Sequence, residues 1–165
     1  MSEPTNEELV AQLASAPDLL DAALAALGAT PEPAAASGAA SGATGGATGE
    51  AGWTTSEIIG HLCDAARYWG ARMRLAAHED RPALQLFDQD SFVALAAYRY
   101  VPADMLAQEF RLVNASNVAL LRGLSAPDWE RVGIHSERGP LTIRQMVEIE
   151  AGHELEHARS LAGAR

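Results

Sequence analysis

Near its end the chain carries Glu150-Ala151-Gly152-His153-Glu154-Leu155-Glu156-His157. On a helix, His153 and His157 stand one turn apart on the same face. That face is otherwise apolar, with Met146 before the pair and Leu161 after it. Imidazole among apolar residues needs its nitrogens satisfied, because a buried polar group without a partner costs free energy. A shared divalent metal answers that need for both rings. A third histidine, His61, falls in line with Ile58, Leu62 and Ala65, which places it on the apolar face of a second helix. Three neutral imidazoles hold a divalent cation and leave a coordination position open. Such a site makes water a nucleophile near neutral pH, or binds and activates a thiolate. Zinc and nickel both accept imidazole, so both are candidate ions. Without a metal, the same pair is two surface histidines on an acidic helix.

Other residues are candidates for supporting roles. Glu57 is one turn before His61, and Glu150 is three residues before His153. Either can accept the second ring proton of a ligand, or serve only as a helix cap and a solvated acid. Asp88 and Asp90 are candidates for the site entrance, with an N-cap or a hydrated loop as the alternative. His135 lies in a Gly-rich connection that can approach the mouth of the site. His78 sits beside two acids and is expected at the surface. Cys63, two residues after His61, points to another side of the helix and reads as a packing residue.

These side chains must be carried by helices. Thr5-Asn6-Glu7-Glu8, Thr54-Thr55-Ser56-Glu57 and Thr142-Ile143-Arg144-Gln145 each read as a capping box that opens one. The first helix carries Leu9, Leu13, Leu20 and Leu24, with Pro17 expected to kink or interrupt it and Gly28 to stop it. The second carries Ile58, His61, Leu62, Ala65, Trp69 and Met73 to about Ala77. A short helical stretch follows Leu86-Phe87 and ends near Pro102. A further helix over about 103–123 aligns Leu106, Phe110, Val113, Asn117, Leu120 and Leu124. No period-two strand and no internal repeat stands out. Four main helices with apolar stripes predict an all-α fold, an antiparallel four-helix bundle.

The chain has 165 residues, which predicts a single domain over 1–165. From Ala29 to Gly52 it turns to Ala, Gly, Ser, Thr and Pro without a large apolar side chain, which predicts a flexible linker inside that domain. Formal net charge is -10, and all twelve basic residues are arginine. That balance argues against nucleic-acid phosphates and against an anionic membrane surface as partners. No signal peptide and no apolar run of spanning length is apparent, and the N-terminus is acidic and polar, so the expected location is cytoplasmic. One cysteine permits no internal disulfide.

At these same residues the chain resembles the DinB/YfiT-like superfamily. Trp53-Thr54-Thr55-Ser56-Glu57-Ile58-Ile59-Gly60-His61-Leu62-Cys63-Asp64 is similar to that family's Trp-Ser/Thr-x-x-Glu-x-x-x-His-Leu-x-Asp signature. Leu124-Ser125-Ala126-Pro127-Asp128-Trp129, the turn at Gly139 and Gly152-His153-Glu154-Leu155-Glu156-His157 resemble it in content and order. The resemblance covers Trp53 to Leu161 and extends loosely to the first helix. It implies a four-helix bundle with a three-histidine metal site, here His61, His153 and His157. It also implies a metal-dependent hydrolase, or a transferase or isomerase that uses bacillithiol, mycothiol or glutathione. Two departures stand out. The Ala/Gly-rich stretch is longer than the family pattern, and Arg159 and Ser160 stand where a glutamine is expected. The expected function is therefore a metal-dependent thiol S-transferase or hydrolase acting on a small molecule, with a low-molecular-weight thiol as co-substrate. The alternative is a non-catalytic, metal-stabilised stress-response protein or a homodimerisation module.

Overall fold

Each long helix begins where side chains meet the free N–H groups of its first turn. The computed structural model describes residues 3–28 and 53–163. The linker expected over 29–52 lies outside the described residues. Helix α1 (Asn6–Gly28) is opened by Thr5 and Glu8, whose side chains each accept from the other's backbone N–H, at 3.2 and 2.6 Å. Helix α2 (Thr55–His78) is opened in the same way by Thr54 and Glu57, at 3.3 and 2.8 Å. Thr142 and Gln145 do the same for the last helix, at 3.1 and 2.9 Å. All three expected capping boxes are present. Thr54 aims the helix that carries His61, so Thr54→Ala is expected to destabilise the metal-free protein by about 1 kcal/mol. Thermal denaturation in chelator checks this, and an unchanged midpoint would contradict it.

The expected break at Pro17 does not occur, and α1 runs through it. Proline has no N–H to give the carbonyl of Leu13, four residues back. Asn114 replaces it by donating its side-chain Nδ2 to the Leu13 oxygen at 2.9 Å. The orphaned acceptor is thus satisfied from a neighbouring helix, and the chain need not bend away. Asn114-Ala115-Ser116 has the form of a glycosylation sequon, but Asn114 is 2% exposed and so not available for modification.

The chain continues through strand β1 (Ala83–Leu84), helix α3 (Gln89–Ala96), a 3-10 turn at Tyr98–Tyr100 and helix α4 (Ala103–Arg122). Short helix α5 (Ala126–Trp129), strands β2 (Val132–His135) and β3 (Gly139–Thr142) and helix α6 (Ile143–Gly163) complete it. Helices α1, α2, α4 and α6 form the expected four-helix bundle, with α1 against α6 and α4, and α2 against α4 and α6. Neighbours α1 and α4 run antiparallel, since Arg111 reaches Asp18 and Asn114 reaches Leu13. So do α2 and α6, where Ile58 shares one core cluster with Leu161 and Met73 shares the other with Met146. Helices α2 and α4 run parallel, with Cys63 at Leu106 and Arg74 at Ser116. A parallel pair obliges the chain to travel back along the helix length, about 30 Å for twenty residues. The segment holding β1 and α3 makes that return.

The core divides into two apolar clusters. One, around Leu13, Met73, Leu121 and Met146, closes the end near the small sheet, and the other, around Leu20, Ile59, Leu62 and Phe110, closes the opposite end. On α4 the buried stripe is Leu106, Ala107, Phe110, Asn114, Asn117, Val118 and Leu121. Leu120 and Val113, expected in that stripe, are only partly buried. Helix α1 is long and apolar enough, by length and composition, to cross a membrane, so the expectation that no run qualifies is corrected. In the bundle its apolar face packs inside the core, through Leu9, Leu13, Ala16 and Leu20.

The all-α expectation holds, and a minor three-stranded sheet is added to it that the sequence did not show. β1 pairs parallel with β2, Leu84 opposite His135, and β2 pairs antiparallel with β3, His135 opposite Gly139. Strands of two and four residues are too short for alternation to show in sequence. Gly139 takes φ of +74°, the left-handed value that closes the hairpin after Ser136-Glu137-Arg138.

Candidate metal centre

Helices α2 and α6 bring the three histidines together. His61 Nε2 lies 2.8 Å from His153 Nε2, and His157 Nε2 lies 3.1 Å from the same atom. The rings meet edge to face, with centroids 4.8 Å apart for His61 and His153 and 4.6 Å for His153 and His157. Trp53 lies 5.2 Å from the His61 ring on one side, and Phe87 stacks parallel to it at 6.0 Å on the other. His61 is fully buried and His153 half-buried. Burial lowers the His61 pKa to about 3 and that of His153 to about 4, and the neighbouring imidazoles add to both shifts. Both rings are therefore neutral near pH 7, the form that donates to a metal.

The nitrogens do not satisfy one another. A neutral ring offers one lone pair and one N–H. His153 Nε2 thus serves one of its two neighbours, not both. The Nδ1 atoms of His61 and His153 are buried without a hydrogen-bond partner among the described residues. A cation taking three Nε2 lone pairs would resolve the crowded side of the cluster. The donor set, three neutral imidazoles in reach of one point, fits a divalent transition metal.

The other candidates lie elsewhere. Glu57 does not reach His61. It caps α2 and pairs with Arg99, at 2.8 Å. Burial would raise its carboxyl, but the Thr54 N–H and Arg99 outweigh burial and hold it below its ordinary value. Glu150 is neither beside His153 nor solvated. It is fully buried, accepts from Asn117 at 3.1 Å and faces Glu154 one turn on. Burial raises the Glu150 pKa to about 8 and also raises that of Glu154, which accepts from Asn114 at 2.8 Å. Within the acidic segment, Glu150 and Glu154 are thus a buried pair facing α4, with both carboxyls pushed toward the protonated form, while Glu148 and Glu156 are exposed.

Asp88 is the N-cap of α3, accepting from Ser91 N–H at 3.2 Å and from its hydroxyl at 2.7 Å. Asp90 is exposed in the first turn of that helix. Neither lines the entrance, where Phe87 stands instead. His78 is the exposed last residue of α2 rather than part of a loop. Cys63 is a packing residue, with its Sγ 3.3 Å from the Leu106 carbonyl and its thiol pushed up to about 12 by burial.

His135 does come to the mouth. At the end of β2 it is buried and lines, with His61 and His153, a cavity of about 190 Å³. Its Nδ1 accepts from the N–H groups of Glu137 and Arg138, at 3.2 and 3.4 Å, which assigns its proton to Nε2. Burial, with Arg72 and Arg138 nearby, lowers its pKa. Sequence reading missed Arg72, which lines the same cavity with its guanidinium 4.5 Å over the Trp69 ring. The signal was available: an arginine three residues after Trp69 lies on the apolar face of α2.

Solved structures share this arrangement of helices. YfiT from Bacillus subtilis, described as an unusual four-helix bundle, superposes with a TM-score of 0.74 at 19% identity, over 98% of this chain and 88% of that one. The mycothiol-dependent maleylpyruvate isomerase gives a TM-score of 0.72 at 16% identity, over 99% of this chain and 64% of that one. Among curated proteins, one from Oceanobacillus iheyensis is 30% identical over 106 residues, 64% of this chain and 61% of the relative. Another, from Bacillus licheniformis, is 24% identical over 115 residues, 69% of this chain and 65% of the relative. The names of both propose metal-dependent hydrolases, and this chain spans less than two thirds of the length of each. Residues 12–161, which include α2, α6 and all three clustered histidines, match the DinB superfamily pattern, and the chain belongs to that superfamily.

Proposed function

We propose that this chain is a metal-dependent enzyme in which His61, His153 and His157 hold one divalent cation, zinc or nickel. Its reaction is thiol transfer to, or hydrolysis of, a small molecule. The observation that carries this reading is the convergence of three imidazole Nε2 atoms, two of them on rings, His61 and His153, that line a cavity. A cation bound there supplies a Lewis acid that lowers the pKa of water or of a thiol. The chain's own residues do the rest. Burial keeps His61 and His153 unprotonated, so their lone pairs are available at neutral pH. Trp53 and Phe87 flank His61 and keep bulk water from it.

A thiol would have to arrive from outside, because Cys63 is inaccessible and its thiol stays protonated. The thiol dependence in the name of one structural neighbour supports a low-molecular-weight thiol such as bacillithiol or mycothiol in that role. The test is turnover of metal-loaded protein on activated esters without thiol, and on electrophiles with bacillithiol, mycothiol or glutathione. Activity in one set, lost on chelation and in His157→Ala, is expected. No turnover in either set would leave the cation a stabilising role only.

A further inference from the structure

Arg72 is a buried charge without a salt bridge among the described residues, with Glu137 acting on it only at longer range. The residue is 5% exposed, and its Nε and Nη2 donate to the backbone carbonyl of Gln85. Its Nη1 has no protein acceptor among the described residues, and no carboxylate there pairs with it. Burying a guanidinium against Trp69 without a counter-charge costs free energy that one carbonyl only partly offsets. The side chain lines the same cavity as His61 and His153. Arg138, from the hairpin between β2 and β3, lines the same wall and likewise has no ion-pair partner among the described residues. Glu137 is the one acid on that wall. Two arginines against one carboxylate leave a single net positive charge. Neutral His135 adds an Nε2–H to the same lining.

We infer that this wall is an anion subsite and that the molecule it takes is a small monocarboxylate. Its acid group lies at Arg72 and Arg138, and its other end is directed at the three histidines. The guanidinium fork matches a carboxylate in the plane, two N–H groups to two oxygens. A single net positive charge suits a monoanion better than a phosphate dianion. A volume of about 190 Å³ lies below the usual range for drug-sized ligands, so the molecule is small. Trp69 and Phe87 give its body a flat apolar lining. The inference rests on the reading of the histidine cluster as the reacting end of the cavity, but its test does not depend on a metal.

The probe is 4-fluorobenzoate, titrated into the full-length protein and followed by fluorine NMR, with neutral 4-fluorobenzyl alcohol and inorganic phosphate as comparisons. Saturable binding of the carboxylate is expected, at least tenfold tighter than either comparison. Arg72→Met should weaken it tenfold or more. Arg138→Met, at an exposed hairpin position that cannot compromise the core, should weaken it several-fold. Binding should survive chelation and the His61→Ala change. Equal binding of the alcohol, tighter binding of phosphate, or no effect of Arg138→Met would overturn the subsite. Carboxylate binding lost on chelation yet indifferent to both arginines would place the acid on the cation, which overturns the subsite and leaves the metal reading intact. Arginine-dependent binding in a protein that takes up no metal would sustain the subsite and remove the metal reading instead.

Discussion

Protein purified without chelator or histidine tag is expected to contain close to one divalent cation per chain, and His153→Ala is expected to contain almost none. His153 is the middle ring of the cluster, with its Nε2 within 2.8 Å of one partner and 3.1 Å of the other. Removing it takes away a ligand and separates the two that remain. A supporting residue beside a metal ligand is commonly worth ten- to a hundredfold in affinity, so loss of a ligand itself should cost on the order of a thousandfold. His61→Ala and His157→Ala should behave alike. His78→Ala is the control, because His78 is exposed at the far end of α2 and belongs to no cluster. Metal analysis of the four variants checks the expectation. Full occupancy in His61→Ala together with His157→Ala would rule out the three-histidine site.

The second large effect concerns the buried carboxyl pair. Glu150 has a folded pKa of about 8 against an ordinary 4.5, because burial disfavours its charge. A value raised on folding means that the folded state holds its proton more tightly. The stabilising contribution is complete below pH 4.5 and is lost as pH rises toward 8. The groups facing Glu150 are Asn117 from α4, Glu154 on α6 and, at longer range, Arg74 from α2. Glu150→Gln keeps an oxygen for Asn117 and supplies an N–H toward Glu154, but has no proton to lose. At pH 8 the variant is expected to be more stable than the wild type by on the order of 2 kcal/mol, or about 4–8 °C in midpoint. Near pH 4.5 the two should be close. His61 and His153, whose values are lowered on folding, cost stability only as pH falls below 6.5, so a comparison between pH 6.5 and 8.5 in chelator isolates the carboxyls. A variant less stable at every pH would show that the pair is not held protonated.

Much of this molecule is legible one turn at a time. The three capping boxes need only residues three apart, and each forms as read. The inward face of α2 follows from its period, as does the burial of His61, whereas Cys63 on another side of the helix is buried because α4 packs there. Where a reading failed, the deciding partner was distant. Pro17 was expected to kink or interrupt α1, and the interruption does not occur because Asn114, far along the chain on α4, takes the Leu13 carbonyl it leaves free. Glu150 reads as an acceptor for a ligand's second ring proton or as a solvated acid, and it is neither. It is buried because α6 turns that face to Asn117 rather than to water. The strands β1 and β2 exist because Pro82-Ala83-Leu84 and Val132–His135 meet in space, and neither run carries an alternation of its own.

The sequence by itself determined the four helices, their starts, the family signature and the three imidazoles, because spacing within a helix fixes which side chains share a face. Only the tertiary structure decided that α2 lies beside α6, so that His61 and His153, 92 positions apart, meet at 2.8 Å. It also decided that His135, Arg72 and Arg138 open onto the same cavity. The physical reason is range. Caps and periods are settled by neighbours within one or two turns, whereas the choice of which helices touch is made by the burial of whole faces, and no local pattern encodes that.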